Sequence, residues 1–167
     1  LDTHSPHLVE MKERLVQVKK DYPRNIIINT VWTSYEDIPS IYADADILLF
    51  PSTFEGFGIP LLEAMSSEVP CIVLDKKPMN ELIVNGKTGY CLAPFQGNND
   101  YHGLAFPDPK EVAEKILFFK NNKKEREKIG KRGRKRVIAA YNFSQIIPQF
   151  IEHCKTLVSK NGYEKGV

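Results

Sequence analysis

Apolar positions fall along the chain in two rhythms. From residue 8 to residue 20 they recur at helical spacing. Leu8, Met11, Leu15 and Val18 share one face of LVEMKERLVQVKK, which predicts an amphipathic helix that Pro23 ends. Further on the apolar residues come in short unbroken runs: IIIN (26–29), DILLF (46–50), PCIVL (70–74) and TGYCLA (88–93). Runs of this kind mark strands buried on both faces. Helical stretches separate them. Ser34 with Asp37 suggests a cap ahead of IPSIYADA, and PLLEAMSS (60–67) opens on proline at its first turn. MNELIVNG (79–86) reads as a short helix closed by Gly86. Residues 95–107, FQGNNDYHGLAFP, form a polar loop longer than most connections. Helices follow at about 109–119, 123–140 and 143–158, and the tail 161–167 is expected to fray. Helices alternating with unalternating apolar strands predict an α/β fold. The expected architecture is a parallel sheet with helices on both faces, a Rossmann-like three-layer arrangement in one domain over 1–160.

Composition narrows the partners. The chain has 167 residues, 42% hydrophobic and 26% charged, enough for a sizeable core. Its net charge of +2, from 23 basic and 21 acidic residues, gives no case for nucleic acid. The basic residues are unevenly spread, however, and gather in KNNKKEREKIGKRGRKR. The bland reading of that run is a solvated helix face. The functional alternative is contact with an anionic membrane surface or a phosphorylated acceptor. Cys71, Cys91 and Cys154 are odd in number and far apart, which points to a reducing, cytoplasmic compartment. The longest apolar run, ADILLF, is a strand length and too short to span a membrane. No signal peptide is visible. The chain opens on Leu1 with a helix almost at once, which suggests an excised piece of a longer protein.

The candidate chemistry lies after DILLF. Ligands of parallel sheets bind outside the carboxyl ends of the strands. There Pro51 and Ser52 leave the strand, Glu55 follows in a loop, Gly56 and Gly58 flank Phe57, and Pro60 begins a helix. Glycines allow close backbone approach. The N–H groups at the helix start, near Phe57 to Leu61, favour an anion or an oxygen-rich group. Glu63 is placed in the first helical turn, facing the same crevice as Glu55. A carboxylate accepts two hydrogen bonds from a vicinal diol, so two carboxylates eight positions apart can each hold one. A sugar nucleotide presents such hydroxyl pairs on its ribose and its hexose, and a diphosphate suits the helix N-terminus between them.

FEGFGIPLLEAM matches the E-x7-E signature of glycosyltransferase family 4 (group 1) and its relatives with the GT-B fold. IPSIYADADILLFPS resembles the helix, strand and "P-S" that precede the signature in that family, and ELIVNGKTGYCL resembles the stretch that follows it. PDPKEVAEKI and EREKIGKRGRKRVIAAYNFSQI, with Phe143 and Ser144, resemble its C-terminal helices. The resemblance covers nearly the whole chain, in order. It implies the donor-binding, C-terminal half of a GT-B glycosyltransferase that moves a hexose from a UDP- or GDP-sugar to a glycan or lipid-linked acceptor, with retention of configuration. Such enzymes generally need no essential metal or other cofactor.

Residue by residue, the resemblance implies that Glu55 contacts donor hexose hydroxyls, the catalytic position, and that Glu63 holds the ribose diol. Phe57, Gly58 and Ile59 would offer amides to sugar and diphosphate. Ile59, Pro60 and Leu62 would support the ribose. Val31 and Trp32 lie where the family positions the nucleobase. The family usually has glycine at the place of Val31. Its diphosphate-neutralising Arg and Lys belong to a first strand that would precede residue 1, as would the acceptor domain. The chain alone is therefore expected to be inactive and to bind donor weakly. Peripheral contact with the inner face of a membrane is a further expectation.

Other features carry open or plainer readings. Asp44-Ala-Asp46 enters a strand rather than leaving one, against a metal-binding D-x-D motif, and Asp46 is expected to cap or close the preceding helix. His4, His7, His102 and His153 have no ligand spacing and read as surface residues. Trp32 suits a core aromatic as well as a base platform. Glu81 suits an exposed helix charge as well as the family's loop glutamate. The competing functions are a nucleotide-sugar epimerase of the same two-domain fold and a non-catalytic Rossmann-like binding module.

Overall fold

Cys71–Leu74 (β2) is the middle strand of a three-stranded parallel sheet, between Leu48–Phe50 (β1) and Gly89–Leu92 (β3). Leu48 pairs with Cys71, and Cys71 with Gly89. The computed structural model describes residues 6–29, 31–95 and 106–160. The chain divides into two compact units, Leu1–Ser34 and Tyr35–Val167. The sheet belongs to the second.

All four residues of β2 are buried. Cys71 and Val73 join one apolar cluster and Ile72 the other. Successive side chains of a strand point to opposite faces, so a strand covered on both sides must be apolar throughout. The first cluster is built on Ile59–Ser66 (α3) and Met79–Leu82 (α4), through Leu61, Ala64, Met65, Met79 and Leu82. The second adds Leu92 of β3, Phe119 of Pro109–Asn121 (α5) and Ile129 of Lys123–Ala140 (α6). The expected layered α/β arrangement is present.

Local chemistry sets several boundaries. Asp108 accepts the Lys110 N–H at 2.8 Å and so caps α5, with Pro109 at its start. α3 ends in a turn of Schellman type: Glu68 takes φ +62°, and the Val69 N–H reaches back to the Ala64 carbonyl at 2.9 Å. Glycine is the usual occupant of that left-handed position. Here the backbone of Glu68 lies against α6, where a Cβ on Gly130 would stand 1.8 Å from the Glu68 carbonyl oxygen. Gly130 is therefore the residue that lets α6 close on α3.

Three of the four arginines of α6 are anchored, while Arg132 is exposed. Arg126 pairs with Asp46 at 2.7 Å, Arg134 donates to the Ser66 carbonyl, and Arg136 donates to the Leu82 and Glu81 carbonyls at 2.8 Å each. They tie α6 to the rest of the unit with the forked geometry that lysine lacks. Lys124, Lys128, Lys131 and Lys135 remain exposed, as the bland reading of the basic run expects. Among the described residues no helix is long and apolar enough to cross a membrane.

Several expectations need correcting. Residues 26–29 form no strand, and Ile27 is 91% exposed. A β-branched run becomes a strand only when another strand takes its backbone groups, and none does so among the described residues. β1 is shorter than DILLF and only half-buried, with Leu49 at 42% exposure. It is the edge of the sheet among the described residues. The short helix does not run to Gly86. α4 ends at Leu82, where the extended backbone of Ile83 and a 2.8 Å bond from the Val84 N–H to the Thr88 hydroxyl turn the chain away. Asp46 closes no helix: Asp44 is the C-cap of Ile38–Ala43 (α2), and Asp46 serves Arg126. Asp37 sits at the N-cap of α2 in a helical conformation, without a capping side-chain bond.

The first helix, Pro6–Asp21 (α1), forms as the apolar spacing predicts. Leu15 and Val18 on its apolar face are exposed, and the side chains of Leu8 and Met11 lie outside the described ones. Lys19 donates to the Pro23 carbonyl at 2.8 Å and also to that of Ile26, which secures the helix end. The last helix, Phe143–Lys160 (α7), runs two residues past the expected end. The loop core at 96–105, the tail at 161–167, and His4 and His102 lie outside the described residues.

Candidate functional site

α3 has one buried face and one open face. Leu61, Ala64 and Met65 enter the core. Ile59, Leu62, Glu63 and Ser66 look into a cleft of about 660 Å³, whose other walls come from α2, α6 and the start of α7. Tyr42 of α2 and Tyr141 beyond α6 also line it. A volume of this order suits a small-molecule site.

The helix enters the cleft wall through Gly58. That residue is its N-cap, at φ +89°, and a Cβ there would press within 3.1 Å of a Leu82 methyl. A left-handed backbone beside a packed leucine selects glycine on two grounds. The turn leaves Phe57 and Ile59 exposed at the cleft edge. The Phe57 ring meets Tyr141 edge-to-face, with centroids 6.4 Å apart. Pro60 lacks an N–H, and the Leu61 N–H is taken by the Gly58 carbonyl at 3.0 Å. The Ile59 amide, at the first helical position, has no partner within the helix.

Glu63 is the acidic group of this mostly apolar wall. The Tyr42 hydroxyl donates to its Oε2 at 3.2 Å. Burial, and then the Glu63 charge and that bond, push the Tyr42 phenol up to about 12. Tyr42 therefore stays protonated, and a donor, across the physiological range. Glu63 is the fifth residue of α3, one turn later than expected.

Glu55 is half-buried in the loop beyond β1, next to the exposed Phe54. It is not among the residues that line the Glu63 cleft. Gly58, at φ +89°, lies between the two carboxylates in the chain, and Glu63 is the one that lines this cleft. Val31 and Trp32 belong to the first compact unit and are 78% and 93% exposed, so Trp32 is not a core aromatic there. Glu81 is exposed and pairs with Lys77 at 2.8 Å, the surface role left open for it. His153 is exposed. Cys71, Cys91 and Cys154 are all free thiols, and burial pushes Cys71 up to about 12.

Sequence reasoning missed Tyr42, Tyr141 and Arg134. Tyr42 lies inside IPSIYADA, which was read only as a helix. Its spacing from Glu63, 21 positions, carries no local signal.

The family model for glycosyl transferases group 1 matches residues 11–136, three quarters of the chain, and takes in α2, α3 and most of α6. The chain belongs to the group 1 glycosyl transferases. CapM, a capsular polysaccharide biosynthesis glycosyltransferase of Staphylococcus aureus, is 35% identical over 113 residues, which are 68% of this chain and 26% of CapM. The O-antigen chain mannosyltransferase RfbU of Salmonella typhimurium is 43% identical over 53 residues, 32% of this chain and 15% of RfbU. The chain thus spans about a quarter or less of the length of these relatives. Among solved structures, the C-terminal domain of the group 1 protein LpcC from Francisella tularensis superposes with a TM-score of 0.66 at 28% identity, covering 83% of this chain and 66% of that one. Anabaena HepE, solved with UDP and glucose, superposes with a TM-score of 0.71 at 20% identity, covering 87% of this chain and 36% of HepE. The latter likeness concerns the fold alone. This glycosyl transferase chain has the fold of the C-terminal half of a GT-B enzyme.

Proposed function

We propose that the α3 cleft receives the nucleoside end of a sugar nucleotide, and that the protein transfers a hexose from it. One observation carries the reading: Glu63 stands in an apolar wall, held from one side by Tyr42, with Ile59 and Leu62 beside it. A carboxylate so placed suits a vicinal diol such as that of ribose, because one bond from Tyr42 leaves most of its lone pairs for hydroxyls. Apolar neighbours suit the sugar's carbon face. The Ile59 amide and the helix N-terminus suit the diphosphate oxygens.

Glu55, on the same side of the sheet but outside this cleft, takes the hexose hydroxyls in this reading. Retention of configuration, a UDP- or GDP-sugar donor, independence of a resident metal, and a glycan or lipid-linked acceptor held by another domain complete the proposal. They rest on the E-x7-E resemblance and on relatives such as CapM and RfbU, whose names place them in capsule and O-antigen synthesis. HepE, solved with UDP and glucose, supports a uridine donor. Three free thiols fit a reducing, cytoplasmic setting.

Calorimetric titration of the full-length protein with UDP, GDP and ADP tests the reading, with and without a chelator. Binding of UDP or GDP that the chelator leaves intact and that Glu63→Ala removes, with the fold retained, supports it. A protein that binds none of the three nucleotides is a different kind of module.

A further inference from the structure

We infer that Tyr42 is a positioning residue for Glu63, one that fixes the carboxylate in the orientation a vicinal diol requires. The inference rests on the reading that Glu63 takes the ribose diol, and it adds a partner from a different helix.

Glu63 sits midway along α3, on the face turned to the cleft. A glutamate there is free to swing, and any ligand that needs it in one rotamer must bear the ordering cost itself. Tyr42 removes that freedom. Its hydroxyl donates to Oε2 at 3.2 Å. Its ring is partly buried and packs against the first core cluster, which anchors it. A tyrosine has two side-chain torsions, few to hold in place. Burial keeps the phenol protonated, at about 12, so the bond persists wherever the protein works.

Position and chemistry agree. Both residues line the same cleft, so the bond lies at the ligand's edge and not in a remote scaffold. One donated bond occupies one of roughly four acceptor sites of a carboxylate. Oε1 and the remaining lone pair of Oε2 are left for two hydroxyls. Arg134 also lines the cleft and bonds the Ser66 carbonyl, whereas the hydrogen bond to Glu63 comes from Tyr42.

The test compares nucleotides that differ only in the diol. Affinities of the full-length protein for UDP and 2′-deoxy-UDP, and for GDP and 2′-deoxy-GDP, are measured in the parent, Tyr42→Phe and Glu63→Gln. Tyr42→Phe keeps the ring in the core and removes only the hydroxyl, and a thermal melt confirms the fold. The parent is expected to prefer the ribonucleotide by about tenfold or more, the size of one or two charge-assisted hydrogen bonds. Glu63→Gln should erase most of that preference. Tyr42→Phe should weaken the ribonucleotide about fivefold and leave the deoxynucleotide unchanged, so the preference shrinks. A merely structural tyrosine would weaken both ligands alike, and that result overturns the inference, as does no change in either. If Glu63→Gln leaves the preference intact, the reading of Glu63 itself fails. If the parent binds neither nucleotide, both ideas fail together.

Discussion

The two faces of α3 are built to opposite rules. Its buried face, Leu61, Ala64 and Met65, is closed by β2 on one side and by α6 on the other. At its end the fit leaves no room for a methyl group, since a Cβ on Gly130 would overlap the Glu68 carbonyl. Its cleft face, Ile59, Leu62 and Glu63, is also mostly apolar but stays open. The contrast separates two uses of apolar surface. One is spent on stability, and there a single added or removed carbon is felt. The other is held in reserve beside a carboxylate fixed by Tyr42, and substitutions there should alter binding while the fold survives.

The largest effect is expected on the buried face. Gly130→Ala should destabilise the chain by about 3 kcal/mol or more, because the clash is with backbone that cannot rotate away. Met65→Ala, at the opposite end of the same contact, should cost about 3 kcal/mol through its cavity. Urea unfolding measures both. A loss under 1 kcal/mol for Gly130→Ala would mean that α3 and α6 are not in close contact.

On the cleft face the signs divide. Glu63→Gln should leave stability within about 0.5 kcal/mol yet lower nucleotide affinity by tenfold or more, as the loss of charge-assisted bonds requires. Equal changes in both quantities would abolish the distinction between the faces. Gly133, one turn from Gly130, sharpens it from within the helix. A Cβ there meets Met65 at 3.5 Å, ordinary contact distance. Gly133→Ala should therefore be tolerated, within about 1 kcal/mol, and can even stabilise through helix propensity.

The smallest effect is in alkali. The folded state raises Tyr42 from 10.0 to about 12, so it holds the phenolic proton more tightly than the unfolded chain does. The associated stability is complete below pH 10 and disappears as pH rises towards 12. Cys71, raised from 9.0 to about 12, adds a loss that begins one unit earlier. Melting temperatures across that range should fall less in Tyr42→Phe than in the parent. Parallel curves would show that Tyr42 has no role in the decline.

Much of the second unit was legible because its signals are local. PCIVL is apolar throughout, since β2 is covered on both faces, and Pro60 marks a helix start by backbone chemistry alone. IIIN carried the same strand signal and failed. Strand formation needs a partner, which composition does not supply. The order of the site residues was legible, but not their grouping. Glu55 and Glu63 are close in sequence, yet Gly58 at positive φ turns the chain between them, and only Glu63 reaches the cleft. Its true neighbour, Tyr42, is distant in sequence and near only because α2 packs beside α3. The basic run likewise gave its charge but hid that Arg126, Arg134 and Arg136 are anchored while the lysines and Arg132 stay exposed.

The most direct test of the central claim is to map where a nucleotide touches the chain. Amide and side-chain NMR shifts, followed during titration with UDP or GDP, should move most at Tyr42, Ile59, Leu62 and Glu63. Those around Gly130 and Met65 should stay still. Shifts that cluster on the exposed lysines of α6, with the cleft unmoved, would contradict the account.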